Sequence, residues 1–277
     1  MPSIEPFIRW AGGKTWLIHH LPQLLNGINI EHYHEPFLGG GAIFFSLEHN
    51  KRSYLSDANP QLINTYLQIK ERPQDVINYF INLANTKDDY YKIREEFTLD
   101  NTVENAARFI YLNQTSYNGL FRVSKTGKYN VPYGYRTNWH YDIDRINQAS
   151  QKLKNTKIVC GDFEINKYQI KENDLVFLDP PYTVSHNNNG FIEYNQTLFS
   201  LEDQKRLRKF IDYIRNKGAY YILTNAAHKT IREIFYIQED RMLELGRQSL
   251  IGGKKAERKK ISEYIFTNIL EGELKDD

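Results

Sequence analysis

Residues 30–41 read Ile30-Glu31-His32-Tyr33-His34-Glu35-Pro36-Phe37-Leu38-Gly39-Gly40-Gly41. The first seven read as a short strand, and the three glycines as a tight turn whose backbone can approach a ligand without a Cβ clash. A helical pattern follows, and residues 52–56 read as a second strand closed by an Asx turn at Asp57. Strand, turn, helix and strand in that order predict βαβ units and a parallel sheet. Asp57 lies roughly 18 residues beyond Gly39, where a nucleotide-binding sheet places a carboxylate to accept hydrogen bonds from ribose hydroxyls. A dinucleotide fingerprint would need a third glycine three residues after Gly41, and that position is Phe44. A ligand with a ribose and no pyrophosphate still fits, and a plain tight turn would use the same glycines.

Outward from this unit, helical periodicity runs over residues 60–112 and is broken at Pro73, at Asn85-Thr86 and at Asp100-Asn101. Residues 113–140 change to Asn, Gly, Tyr, Thr and Ser with scattered basic side chains, a texture of loops with one hairpin. Alternation resumes with a helix over 142–153 and strands over 157–160 and 175–178. A helix over 201–217 follows, with Ser200 as its N-cap, Asp203 in its first turn and Gly218 closing it. Strands at 219–224 and 261–267 complete the pattern. A chain of 277 residues can bury one substantial core with an appended lobe. The expectation is one α/β domain interrupted by an insertion at residues 60–140.

The apolar run Leu175-Val176-Phe177-Leu178 delivers Asp179-Pro180-Pro181-Tyr182 to one edge of the sheet. Two successive prolines fix φ and carry no N–H, so this turn displays carbonyl acceptors beside an acid and an aromatic ring. Those groups suit the grip of a planar amine. An ordinary strand-ending turn uses the same residue types.

The net charge of +2 is small, but its placement is uneven. Residues 105–141 contain no acidic side chain, while Arg108, Arg122, Lys125, Lys128 and Arg136 are basic. A second cluster, Arg247, Lys254, Lys255, Arg258, Lys259 and Lys260, is interrupted only by Glu257. Such one-sign stretches suit a polyanion, although each alone also describes a solvated face. The stretch from Asn113 to Arg122 carries amides that suit adenine and a guanidinium that suits guanine, and Tyr117, Phe121 and Tyr129 offer rings to stack or wedge.

Three other signals are weaker. Gly12-Gly13-Lys14-Thr15 ends like a phosphate-binding loop, but the position that needs the first glycine is Ile8, and the lysine suits a ligand carboxylate better. Cys160 is the only cysteine, which excludes an intrachain disulfide and a cysteine zinc site, and its place inside a β-like run suits a buried apolar filler. No apolar run is long enough for a signal segment or a membrane span, so the expected compartment is a reducing cytoplasm.

Taken in order, Trp10 to Lys14, Glu35 to Gly41, Asp57 to Asn59, Tyr117 to Arg122, Tyr129 to Gly134 and Asp179 to Tyr182 resemble the Dam-like DNA adenine-N6 methyltransferases over nearly the whole chain. The resemblance implies an α/β fold, a seven-stranded, Rossmann-like methyltransferase sheet with helices on both faces and an inserted, mainly helical target-recognition lobe. Residues 1–59 and 141–277 would form the catalytic domain and 60–140 the recognition domain. S-adenosyl-L-methionine would be the cofactor, lined by Trp10, Lys14, Phe37, Gly39, Gly41, Asp57, Asp162, Phe163 and Asp179, with no metal. Asp179, Pro180, Pro181 and Tyr182 would be catalytic. Asp179 and the Pro180 carbonyl would accept the two protons of a flipped-out adenine N6 while Tyr182 stacks on the base.

Double-stranded DNA would be the partner. Asn118 and Arg122 fall on base-reading positions and Pro132 close to the bases. Lys128 and Arg136 join the phosphate surface, and Arg247 and Lys259 match a backbone-contacting segment. Ser124 stands where the family often has Asn, which counts against GATC, although GATC is the first site expected. A monomer, no membrane association and a companion restriction endonuclease complete the implied partners. Cytosine-N4 methylation and a catalytically silent DNA-binding homologue are the alternatives; Asp rather than Ser at position 179 favours adenine.

Overall fold

The structure, a computed structural model, describes residues 4–48, 51–98, 100–124, 128–136, 142–183, 199–248 and 260–270. Seven strands, β1 (Tyr33–Glu35), β2 (Ser53–Asp57), β3 (Thr156–Cys160), β4 (Leu175–Leu178), β5 (Tyr220–Ala226), β6 (Arg241–Gln248) and β7 (Lys260–Thr267), form one sheet in the order β3-β2-β1-β4-β5-β7-β6. The helices are α1 (Leu21–Leu24), α2 (Ala42–Ser46), α3 (Pro60–Glu71), α4 (Pro73–Phe80), α5 (Lys87–Glu96), α6 (Val103–Thr115), α7 (Ile143–Leu153), α8 (Leu201–Asn216) and α9 (Lys229–Phe235). The expected α/β fold with a seven-stranded sheet is what the chain adopts.

The chain divides into two compact units, Met1–Leu21 with Leu38–Ile165 and Pro22–Phe37 with Asn166–Asp277. In the first, β2 and β3 pair in parallel, from Ser53 opposite Thr156 to Asp57 opposite Cys160. Helices α3 to α6 begin where the sequence predicts breaks, each for a local reason. Asn59 caps α3 by accepting from the Gln61 and Leu62 N–H groups, and Pro60 occupies a position whose N–H would be orphaned anyway. Thr86 and Thr102 cap α5 and α6 in the same way. Leu62, Tyr66 and Ile69 are fully buried at helical spacing, so α3 presents one apolar face to its neighbours.

In the second unit β1, β4 and β5 are parallel, and β7 runs antiparallel to β5 with β6 beside it. Leu175, Val176, Phe177 and Leu178 are all buried, as expected of a central strand with a neighbour on each side. Helix α8 starts with a full capping box, in which the Ser200 side chain accepts from the Asp203 N–H and Asp203 accepts from the Ser200 N–H. Strand order reverses between β1 and β4, and crevices outside the carboxyl ends of strands at such a reversal are where open α/β sheets bind ligands.

Two strands depart from the expectation, and helix α9 is not among the expected elements. The strand expected over 30–36 forms only at Tyr33–Glu35, and β6 has no counterpart in the sequence pattern. Strand β6 pairs with β7, and none of its described residues at 241–246 is buried, so it lacks the apolar-in, polar-out alternation that announces a half-buried strand. The expected basic run therefore splits. Arg247 ends up in β6 and Lys260 opens β7, while Lys254, Lys255, Arg258 and Lys259 lie outside the described residues. Among the described residues, no helix is long and apolar enough to cross a membrane.

Candidate active site

Strand β4 ends at Leu178 and delivers Asp179 half-buried at the carboxyl edge of the sheet. The next strand, β5, places Thr224 beside it, and the Thr224 hydroxyl donates to Asp179 Oδ1 at 2.8 Å. Pro180 is buried, while Pro181 and Tyr182 are partly open. The Tyr182 hydroxyl donates to Glu263 Oε2 at 2.5 Å, and Glu263, on β7, is fully buried. Beyond the tetrapeptide, Thr183 donates to the Phe199 carbonyl at 2.9 Å and accepts from Gln204 Nε2 at 2.9 Å. Gln204 in turn accepts from Asn225 Nδ2 at 3.1 Å. Phe37 meets the Phe199 ring edge-on at 5.5 Å. Thr224, Glu263 and Gln204 did not stand out in the sequence. The signal for Thr224 is positional, since β5, hydrogen-bonded beside β4, must point alternate residues at whatever follows Leu178, whereas Glu263 on β7 and Gln204 on α8 acquire their places only through the tertiary fold.

In the first unit the glycine turn is held from three sides. The Leu38 N–H donates to the Ser56 carbonyl at 3.0 Å, the Gly39 N–H donates to Asp57 Oδ2 at 3.0 Å, and the Tyr66 hydroxyl donates to the Gly39 carbonyl at 3.1 Å. Gly39 and Gly41 sit at φ +47° and +67°, the left-handed region that favours glycine. A Cβ on Gly39 would come 2.7 Å from Trp10 Cδ1, so the indole covers the turn directly. Asp57 also accepts from the Asn59 N–H at 2.9 Å. Burial pushes its carboxyl up from the ordinary value, while the N–H groups of Gly39, Asn59 and Ala58 pull it down.

A carboxylate offers about four acceptor positions, which leaves Asp57 able to take a ribose hydroxyl. The turn and this acid therefore fit the nucleoside part of the expected cofactor. Lys14 is buried and donates to the Gly12 carbonyl at 2.7 Å, and no strand precedes it among the described residues, as expected of a non-phosphate loop.

Asp162 follows β3 and accepts from the Glu164 N–H at 3.1 Å, whereas Phe163 is 4% exposed and packs inward. Ile165, at 43%, is the open apolar side chain of that loop and lies against Gly161, a position the sequence reading passed over. Cys160 corrects an expectation. It is exposed at the end of β3, an edge strand, instead of buried, and burial of its sulfur together with nearby Asp57 raises the thiol. A raised thiol stays protonated, which keeps Cys160 a poor nucleophile.

The segment expected as one hairpin forms as one. Ser116 bridges Tyr133 and Val123 bridges Tyr129, with the Tyr117 N–H on the Pro132 carbonyl at 2.9 Å and the Gly134 N–H on the Thr115 carbonyl at 2.8 Å. Asn118 turns the chain in the left-handed region at φ 55°. Arg122 is exposed and braced by Asn130, its Nε donating to Asn130 Oδ1 at 2.7 Å. Ser124 accepts from the Lys128 N–H at 3.2 Å, and Pro132, Lys128 and Arg136 are exposed. Arg9 shares this surface. Burial and then Arg136 lower its pKa, and its side chain lies against Gly119.

Three residues that composition suggests as base readers are instead structural. Asn113 is buried and bonds both the N–H and the carbonyl of Arg9, and Gln114 donates to the Phe7 carbonyl at 3.0 Å. Tyr129 is buried with its hydroxyl on the Leu120 carbonyl at 2.7 Å, so it cannot stack on a base. Trp10 stacks on Phe121 at 6.1 Å and on Phe109 at 6.4 Å, which ties the cover of the glycine turn to the hairpin.

A seven-stranded α/β sheet with a glycine turn after β1, a carboxylate closing β2 and Asp-Pro-Pro-Tyr after β4 defines a Rossmann-like methyltransferase. A sequence model of the D12 class N6 adenine-specific DNA methyltransferases matches residues 10–246, and the chain belongs to that family of enzymes. Type II methyltransferase M1.LlaDCHI of Lactococcus lactis subsp. cremoris is 36% identical over 96% of this chain and 96% of its own length. Type II methyltransferase M.MjaIII of Methanocaldococcus jannaschii is 37% identical over 81% of this chain and 85% of its own. A DNA adenine methylase of Vibrio cholerae is 28% identical over 81% of this chain and 82% of its own.

Proposed function

We propose that this chain transfers a methyl group from S-adenosylmethionine to N6 of an adenine flipped out of double-stranded DNA, with Asp179, Pro180 and Tyr182 holding the base. When bound, the cofactor supplies an electrophilic sulfonium methyl. Adenine N6 is a poor nucleophile because its lone pair is conjugated with the ring, so the protein's task is to free that pair. The Asp179 carboxylate and the Pro180 carbonyl accept hydrogen bonds from the two N6–H groups, the nitrogen moves toward tetrahedral geometry, and Tyr182 stacks on the base. The N6–CH3 bond forms as the S–CH3 bond breaks, and the one proton N6 sheds leaves by way of the Asp179 carboxylate to solvent. The observation that carries this reading is the Thr224 bond to Asp179 Oδ1, which fixes the plane of the carboxylate before any substrate arrives. Gly39, Gly41, Asp57 and Trp10 hold the nucleoside of the cofactor, Lys14 its carboxylate, and Asp162 with its loop the adenine.

Residues 60–140 serve as the recognition lobe, with Arg122 and Asn118 reading bases, Pro132 close to them, and Lys128, Arg136 and Arg9 on phosphates. The Type II names of two relatives support a restriction-modification setting with a companion nuclease, and GATC is the first site to test.

Nucleoside analysis of duplex DNA incubated with the purified chain and methyl-labelled cofactor tests the reaction. Label in N6-methyladenosine supports it, and label in N4-methylcytosine replaces it with the alternative amine chemistry. Absence of label from DNA points to a silent homologue. Single-molecule mapping of the same DNA returns the site.

A further inference from the structure

Behind the Asp-Pro-Pro-Tyr turn lies a buried polar layer that the reaction as proposed above does not use. Strand β5 pairs with β7 so that Ala226 faces Glu263 and Thr224 faces Ile265. Residues directly opposite in an antiparallel pair share a face, and so do residues two apart along a strand. Thr224 and Glu263 therefore project from the same face, one step apart. One meets Asp179 Oδ1 at 2.8 Å and the other meets the Tyr182 hydroxyl at 2.5 Å. Both are fully buried. The two ends of the tetrapeptide are thus each bound to a different strand, while the two prolines between them carry no N–H for the sheet to hold.

Burying Glu263 is costly unless it is matched by hydrogen bonds, and a leucine would fill the same space without that cost. Its place on the Tyr182 hydroxyl assigns the cost a return. A tyrosine ring that stacks on a flipped base must keep its tilt through each turnover, and a hydroxyl anchored to a strand fixes where the far end of the ring lies and so the tilt of its long axis.

Resting on the reading that this turn binds adenine, we infer that Glu263 and Thr224 are positioning residues for methyl transfer. Glu263 sets the Tyr182 ring and Thr224 sets the Asp179 carboxylate. Neither touches the reacting atoms, and each acts through the residue it holds. On the opposite face of β5, Asn225 and Gln204 form a separate polar chain to Thr183.

The test uses the full-length chain, S-adenosylmethionine and a duplex that wild type has been shown to methylate, so failure of the basic reading is seen first and separately. Glu263→Leu removes the acceptor and Glu263→Gln keeps one. Single-turnover rate, cofactor affinity, duplex affinity and the fluorescence of 2-aminopurine placed at the target adenine are measured for each. A misplaced catalytic group can cost on the order of 100-fold, so Glu263→Leu should slow methyl transfer by roughly 10- to 100-fold. Cofactor and duplex affinities should stay within about threefold of wild type, because the charges and contacts that set them are untouched. Glu263→Gln should recover most of the rate, and the stacked-base fluorescence should change in Glu263→Leu alone.

Equal loss in Glu263→Gln and Glu263→Leu, an unchanged rate in both, or a loss confined to cofactor affinity overturns the assignment. If Glu263→Leu does not fold, Thr224→Val and Thr224→Ser decide by the same split, since valine loses the hydroxyl at nearly constant volume and serine retains it.

Discussion

At Gly39 the backbone must hold φ +47° while the Trp10 indole lies where a Cβ would be. The left-handed region costs an L-residue about 1–2 kcal/mol, and the indole cannot give way easily because it packs against the Phe109–Phe121 pair. Gly39→Ala should therefore displace the turn, including the N–H it offers to Asp57, and weaken cofactor affinity by roughly 10-fold or more. Calorimetric titration with S-adenosylmethionine measures this, and an affinity equal to wild type would show that the turn does not carry the cofactor. In the proposed reading, Arg122 and Lys128 would make different kinds of DNA contact. Arg122 is braced by Asn130 at a fixed angle, as base reading requires, whereas Lys128 is exposed. Arg122→Ala should relax sequence preference, and Lys128→Ala should weaken all duplexes alike and lower the salt slope by about 1. Competition binding at several salt concentrations distinguishes them, and uniform loss for Arg122→Ala would contradict its role.

The elements show where a sequence speaks clearly. Helices α3 to α6 were legible to within a few residues because their breaks are chemical, with Asn59, Thr86 and Thr102 capping and Pro60 and Pro73 opening a first turn. Strand β4 was legible because burial on both faces leaves an unbroken apolar run. Strand β6 was not, and neither was the direction of Asn113 and Gln114, because composition says nothing about which way the last turn of α6 faces.

Strand β1 carries a feature that only the fold reveals. His32 Nδ1 and His34 Nε2 meet the two oxygens of buried Asp174 at 3.0 and 2.9 Å, at the end of β4 opposite Asp179. Burial lowers the His34 pKa and Asp174 only partly restores it. A histidine whose folded pKa is lowered stays neutral in the fold but takes up a proton when unfolded, so stability is lost as pH falls below the ordinary value of about 6.5. Asp174 works in the same direction at lower pH. Burial raises its carboxyl, but bonds from His34, the Lys171 N–H and His32 outweigh that and lower it, so its contribution vanishes in acid. The melting temperature should fall between pH 7.5 and 5.5, and His34→Gln should flatten that fall. An equal slope in the variant would remove His34 from the account.

Across the whole molecule, the proposed chemistry and the proposed recognition rest on different physical sources. The Asp-Pro-Pro-Tyr turn depends on strands and a buried polar layer, both of which need the tertiary fold. The hairpin depends on local pairing around exposed arginine and lysine side chains. This difference explains what could be read in advance. The ordered motifs from Trp10 to Tyr182 were visible in the chain, whereas Thr224 and Glu263 lie 45 and 81 residues from their partners and acquire meaning only when β5 and β7 are paired. The central claim is that Asp179 orients the amine and is dispensable for holding the cofactor. Single-turnover methylation of duplex DNA and equilibrium binding of S-adenosylmethionine, measured side by side for wild type and Asp179→Ala, test it most directly. The account predicts that the variant loses methyl transfer by at least about 1,000-fold while cofactor affinity falls less than about 10-fold. Turnover at the wild-type rate in Asp179→Ala, or loss of activity explained entirely by lost cofactor binding, would contradict it.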